Sequence, residues 1–268
     1  GGGGTTPPTT TTTTTTTTGT GTGSTTSNTA SNTGSTPTTT SLVQNTGGNG
    51  NTITATLPGS TSITSEGPST AQTPIEAGTT LIEGITGRGT TSGTNLVSGA
   101  QGFLNKLSST TTLDVRTIVP TTTSTSLSDP IVITGSTSST QSEAFVIDMR
   151  NLPSGSTLQL DNIEFASIIG SATVNGGAGN NYVTADESSQ FISLGVGDDI
   201  LFAGAGNDTV GSGGGDDDLY GEDGNDYVFG GIGNDTVNGG AGNDHLAGNE
   251  GDDVLFGGTG RDYGSFGL

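Results

Sequence analysis

From Leu194 onward an aspartate recurs at every ninth residue: Asp199, Asp208, Asp217, Asp226, Asp235, Asp244, Asp253 and Asp262. Carboxylates on so regular a spacing point to one chemistry. If successive copies stack as strands about 4.8 Å apart, their charges repel strongly unless a cation lies between them. Calcium fits such loops, because it takes about 6 to 8 hard oxygen ligands in flexible geometry and the loops supply carboxylates and peptide carbonyls. Zinc would favour histidine or cysteine, and the chain has one histidine, His245, and no cysteine.

In blocks of nine from Leu194 the chain reads as eight contiguous copies, LGVGDDILF, AGAGNDTVG, SGGGDDDLY, GEDGNDYVF, GGIGNDTVN, GGAGNDHLA, GNEGDDVLF and GGTGRDYGS. The sixth place is always Asp. The eighth is apolar in seven copies, Leu201 through Leu255, and Gly264 breaks the series. Glycines in the first, second and fourth places let the backbone turn sharply and aim carbonyls inward, so the second-place glycines Gly195, Gly204, Gly213, Gly231, Gly240 and Gly258 join the aspartates as candidate metal-site residues. An aliphatic residue every nine can bury only if neighbouring copies stack it into a column. The beat carries backward through 176–184, where Asn181 stands for Asp and Val183 fills the apolar place, and degenerate blocks on either side put Phe165, Val174 and Ile192 in the eighth place. Glu222 and Asn249 replace the second glycine, and Leu194, Ala203 and Ser212 the first, which makes those loops less secure. Arg261 is expected to pair with a nearby carboxylate.

The segment resembles the RTX, or hemolysin-type, calcium-binding repeat family, whose consensus is GGxGxDxUx with U a large aliphatic residue. The resemblance implies an all-β fold, a right-handed parallel β-roll with two nonapeptides per turn, each giving a tight turn and a short strand. With two copies per turn, Asp199, Asp217, Asp235 and Asp253 share one edge, and Asp208, Asp226, Asp244 and Asp262 the other. That arrangement implies three interturn calcium positions on each edge, about six in all, with a weaker one where Asn181 meets Asp199.

The rest of the chain bounds the function. Only 27% of the 268 residues are hydrophobic and 4% aromatic, so a conventional core must be small. A formal charge of −21 repels nucleic acid and anionic lipid and attracts cations. No run approaches a membrane-spanning helix, and no signal peptide opens the chain, which begins at Gly1 and reads as a processed product or a portion of a longer polypeptide. Residues 1–40 read as a Thr-rich low-complexity stalk with candidate O-glycan sites, or equally as a plain flexible linker. Residues 41–110 read as a Thr/Ser/Gly-rich segment with weak structure or short strands around Ile53, Leu57, Ile75, Leu81, Ile82 and Ile85. The spacing of Leu96, Ala100, Phe103, Leu104 and Leu107 predicts one short helix, against which Gly99 and Gly102 count. Residues 111–157 form a small β cap with strands at 112–119, 131–134 and 143–150; in the last, Phe145, Ile147 and Met149 alternate with Ala144, Val146 and Asp148. Degenerate repeats fill 158–193 and the calcium-binding roll 194–265.

No catalytic motif stands out. His245 occupies a variable seventh place, the metalloprotease H-E-x-x-H needs two histidines, and neither a G-x-S-x-G elbow nor a phosphate loop is present. Asp216 and Asp218 read as solvated neighbours of Asp217, and the Asn-x-Thr matches at Asn207 and Asn234 fall out of the repeat itself. The expected function is a secreted bacterial calcium-binding structural protein, not an enzyme: a filament, sheath, surface-layer or adhesin subunit that self-associates. The alternative is the C-terminal folding and secretion module of a larger exoenzyme or toxin, exported by type I secretion. An ice-binding roll is disfavoured, because the third places (Val196, Ala205, Gly214, Asp223, Ile232, Ala241, Glu250, Thr259) give no rank of Thr or Asn.

Overall fold

The computed structural model describes residues 10–17, 25–44, 52–90, 93–137 and 141–267. The first half holds β1 (Thr10–Thr17), β2 (Thr25–Asn32), β3 (Thr38–Gln44), β4 (Thr52–Leu57), β5 (Thr61–Pro68), helices α1 (Pro74–Thr86) and α2 (Gly93–Lys106), then β6 (Thr112–Thr122), β7 (Ile131–Thr134) and β8 (Gln141–Asp148). Shorter strands follow: β9 (Thr157–Asp161), β10 (Phe165–Ile169), β11 (Thr173–Gly176), β12 (Tyr182–Ala185), β13 (Phe191–Ser193), β14 (Ile200–Phe202) and β15 (Thr209–Gly211). The last six are β16 (Asp218–Asp223), β17 (Tyr227–Ile232), β18 (Thr236–Ala241), β19 (His245–Glu250), β20 (Val254–Thr259) and β21 (Tyr263–Ser265).

These strands build two facing sheets. One runs β1-β2-β5-β6-β8-β10-β12-β14-β16-β18-β20, the other β21-β19-β17-β15-β13-β11-β9-β7-β4-β3. From β6 and β7 onward every neighbour is parallel, so the chain coils between the sheets as a solenoid of about seven turns. In the repeats the pairing Leu201↔Leu219↔Val237↔Leu255 in one sheet and Val210↔Val228↔Leu246 in the other makes each turn two nonapeptides. Each column contributes one aliphatic side chain per turn to a core shared by both sheets.

The sequence boundaries and the structure divide the chain differently. Of the tract expected to be a stalk, residues 1–9 and 18–24 lie outside the described residues, whereas β1 and β2 pair antiparallel and β2 joins β5. Threonine is β-branched and suits a pleated surface, and a few inward residues, Ala30, Leu42, Val43, Ile53, Leu57 and Ile63, suffice to bury one face of these strands. The N-terminal strands therefore extend the roll's own two sheets.

The fold is mostly strands, as the all-β reading expects, with few helices. Two helices cover the outer face of the first sheet. In α1 the Glu76 amide donates to the Thr73 hydroxyl (3.4 Å) and the Thr73 amide to the Glu76 carboxylate (2.9 Å), a capping box with Pro74 in the first turn. Ala77, Leu81 and Ile85 then face the sheet, so Leu81 and Ile85 belong to a helix and not to strands. Helix α2 matches the expected helical spacing, and its glycines have a packing reason: a Cβ on Gly99 would collide with the Thr184 side chain, and one on Gly102 with the Tyr182 hydroxyl. Because helices cover β8, both of its faces are dry, with Phe145, Ile147 and Met149 between the sheets and Ala144 and Val146 under the helices.

The nine-residue beat slips in the early turns. Phe165 pairs with Tyr182, a seventh-place residue, and packs under the helices; Ala166 pairs with Val183 and takes the eighth place. The turn from Ala166 to Val183 is one residue shorter than in the repeats, so the register carried back to Phe165 is off by one. Val174 and Ile192 do pair, as expected for eighth places.

Candidate metal centre

Each repeat aspartate immediately precedes a strand or lies one residue before it, at the edge where the chain passes between sheets. The two expected columns form. Along the first, the Asn181 amide donates to Asp199 Oδ1 (2.7 Å), Asp199 to Asp217 (2.7 Å), Asp217 to Asp235 (2.9 Å) and Asp235 to Asp253 (3.0 Å). Along the second, the Gln190 amide donates to Asp208 Oδ1 (2.6 Å), Asp208 to Asp226 (2.8 Å), Asp226 to Asp244 (2.9 Å) and Asp244 to Asp262 (3.1 Å). Every step is 18 residues, one turn.

These bonds employ one carboxylate oxygen each. The other is buried and without a hydrogen-bond partner in Asp208, Asp217, Asp226, Asp235, Asp244 and Asp253. In Asp226, Asp235, Asp244 and Asp253 it lies over the first glycine of its own copy, where a Cβ on Gly221, Gly230, Gly239 or Gly248 would meet it. An unpaired buried carboxylate oxygen is costly, and six in register are a strong demand for a counter-ion. In Asp199 that oxygen is already used, accepting from the Ser212 hydroxyl (3.1 Å), so the non-glycine first place of the 212–220 copy, one turn on, supplies a substitute partner.

The second-place glycines divide. Gly204, Gly231, Gly240 and Gly258 have positive φ, as do all eight fourth-place glycines, whereas Gly195 and Gly213 do not need that conformation. Glu222 and Asn249 still adopt it, at φ 73° and 76°, because the loop dictates the turn even where the residue resists it. The fourth-place glycines also stack closely: a Cβ on Gly233 would strike the Gly215 carbonyl, and one on Gly251 the Gly233 carbonyl.

A second ladder escaped the sequence reading. Fifth-place side chains accept from the amide one turn later: Asn207 from Asn225 (2.8 Å), Asp216 from Asn234 (2.8 Å), Asn225 from Asn243 (2.8 Å) and Asn234 from Asp252 (3.0 Å). Asp216, Asn207 and Asn234 are exposed to solvent and in addition staple one turn to the next. The Asn or Asp just before the sixth-place Asp in seven of the eight copies was the available signal. Arg261 differs from expectation too: among the described residues it forms no ion pair, and its amide takes this fifth-place bond to Asn243 (3.1 Å). His245 lies on an outer face, stacked on Tyr227 at 4.8 Å.

Residues 169–263 match the family model of the RTX calcium-binding nonapeptide repeat, four copies to the model, in the overlapping spans 169–201, 184–219, 193–228, 212–237 and 229–263. This segment is an RTX calcium-binding repeat. No curated protein and no solved structure matches the chain.

The donor set of the RTX segment fits calcium. Among the described residues no three His, Cys, Asp or Glu side chains cluster closely enough to hold a metal ion by themselves, so backbone carbonyls would have to supply the other ligands. Each turn instead brings one carboxylate per edge beside glycine-rich backbone, the mixture a hard, high-coordination ion accepts. Burial drives these carboxyls well above the usual range, Asp208 to about 7 and Asp217, Asp226 and Asp235 to about 6, with the amide bond opposing it and a neighbouring Asp of the column adding repulsion. A cation at these oxygens would therefore have to displace protons.

Proposed function

We propose that this protein is a secreted bacterial calcium-binding structural protein, an extracellular filament, sheath, surface-layer or adhesin subunit whose RTX roll folds as calcium enters its two edges. The observation that carries the reading is the double column of buried, partnerless aspartate oxygens. Six interturn positions follow, between Asp199/Asp217, Asp217/Asp235 and Asp235/Asp253 on one edge and Asp208/Asp226, Asp226/Asp244 and Asp244/Asp262 on the other. The Asn181/Asp199 position is weaker, since it has one charge in place of two and Ser212 already holds the second Asp199 oxygen. Calcium bound there would neutralise the carboxylates and tie each turn to the next.

Continuity supports a scaffold in place of a catalyst. The strands β1 to β5 extend the same sheets as the roll, so the described part of the Thr-rich tract is built into a stiff rod. Among the described residues no helix is long and apolar enough to cross a membrane. Self-association along the rod and glycans on the threonines belong to this reading.

Calcium titration of metal-free protein, followed by far-ultraviolet circular dichroism, tests it. A cooperative rise in β signal at millimolar calcium, reversed by chelator and absent with magnesium, is expected. A signal indifferent to calcium defeats the calcium-dependent fold, and a robust hydrolase activity in the purified chain defeats the structural role.

A further inference from the structure

The edge column does not end at Asn181. Phe165 pairs with Tyr182 and with Ala144, so Glu164 stands where Asn181 stands one turn later, and Glu143 stands one turn earlier. The hydrogen bonds repeat as well. The Tyr182 amide donates to the Glu164 carbonyl (2.8 Å) as the Ile200 amide does to that of Asn181 (2.8 Å). The Glu143 amide donates to the Glu164 carboxylate (2.8 Å) as the Asn181 amide does to that of Asp199 (2.7 Å). Glu164 is thus a geometric counterpart of a repeat aspartate, outside the nonapeptide beat because the loops there have other lengths.

The pair lacks a charge partner. Glu143 is 0% exposed, and its two carboxylate oxygens meet no partner in full hydrogen-bond geometry, although the Glu164 carboxyl and the Ser136 backbone lie close enough to act on them. The ion pairs among the described residues are Arg88–Asp148, Arg116–Asp114 and Arg150–Asp148, so Asp114, next in the column, has its guanidinium and the glutamates have none. Burial first, and the Glu164 charge second, raise the Glu143 carboxyl; the nearby Ser136 backbone lowers it by less. Asn181 Oδ1 is likewise buried and partnerless. The Asn181 side chain, whose Nδ2 donates to the Ile163 carbonyl (3.1 Å), lines with Glu164 a cavity of about 250 Å³ bounded also by Ser136, Thr137 and Asn162, and Glu143 is buried outside that lining.

We propose that Glu143, Glu164 and Asn181 bind one further calcium ion, outside the nonapeptide repeats, which fastens the packed N-terminal turns to the first turn of the roll. Two carboxylates and an amide oxygen beside loop carbonyls suit the ion as the repeat edges do. The competing arrangement is a proton shared between the glutamates, which needs no metal.

Two measurements on the full chain separate them. Crystals grown in calcium, measured at long wavelength, are expected to show an anomalous peak at the Glu143–Glu164 pair in addition to those along the repeats. Metal analysis after equilibrium dialysis is expected to show one calcium fewer per chain in the Glu143→Gln/Glu164→Gln variant, with circular dichroism confirming that the variant is folded. A map with peaks at the repeats and none at the pair, or an unchanged count, overturns the proposal in favour of the shared proton. If the double variant does not fold, the wild-type map alone decides.

Discussion

Replacing Asp226 by asparagine should change the roll's stability in opposite directions with and without calcium. The substitution keeps Oδ1, which accepts from the Asp208 amide, and removes the charge of a residue with 0% exposure. Without metal, burial raises Asp226 from 3.8 to about 6. At about 1.36 kcal/mol per unit, the ionised form costs the folded state ~3 kcal/mol near neutral pH, which water at the loop edge reduces to about 1 to 2 kcal/mol. Asp226→Asn relieves that cost. With calcium the same residue serves two positions, Asp208/Asp226 and Asp226/Asp244, so the variant should need about tenfold more calcium to fold, ~1.4 kcal/mol. The assay is circular dichroism in two arms: calcium titration at pH 7.5, and chelator with increasing sucrose, which brings the metal-free roll toward its transition. Wild type is expected to fold at lower calcium and the variant at lower sucrose. A variant weaker in both arms would refute the reasoning and reduce Asp226 to a hydrogen-bonded staple.

Acidification gives a second test. Because Asp208, Asp217, Asp226 and Asp235 are raised in the folded chain, that state holds more protons than the unfolded one between about pH 4 and 7, and metal-free stability should fall as pH climbs through that window. Calcium affinity should move the other way, weakening below pH 7, as isothermal titration at pH 5.5 and 7.5 will show. Glu222→Gly should stabilise the calcium-loaded roll by roughly 0.5 kcal/mol, because relief of ~1–2 kcal/mol of left-handed strain is partly offset by greater freedom in the unfolded chain; thermal melting reads it. Gly233→Ala should destabilise by more than about 1 kcal/mol, since its φ of 140° and the Gly215 carbonyl both exclude a side chain. Gly214→Ala, whose nearest neighbour would be the Ile232 carbonyl oxygen at 3.5 Å, should stay within about 0.5 kcal/mol and serves as the control.

The repeats were legible because their physics is local: a residue's place in nine determines whether it turns, binds or packs, and the 18-residue pairing of Leu201, Leu219 and Val237 follows from that. Where loops change length the arithmetic fails, as at Phe165, whose large ring fitted the aliphatic beat but packs under the helices while small Ala166 enters the core. Glu143 and Glu164 were hidden for the same reason. Helix α1 was readable in Thr73-Pro74-Ile75-Glu76, a capping box outweighed by the threonines around it. The β-structure of the Thr-rich tract was the least legible, because its order comes from pairing with β5 across the sheet and not from its own apolar content.

The unbroken sheets running from β1 to β20 give folding a direction. In this strand order every repeat turn pairs with the edge of the turn before it, and the first of these edges belongs to a part of the molecule that precedes the nonapeptide repeats and has its own apolar core. The N-terminal half therefore behaves as a seed crystal does in a saturated solution: the costly first contacts exist beforehand, and the remaining turns accrete one by one from a ready surface. Growth from such a surface is expected to show no lag when calcium is added, because nucleation is already supplied.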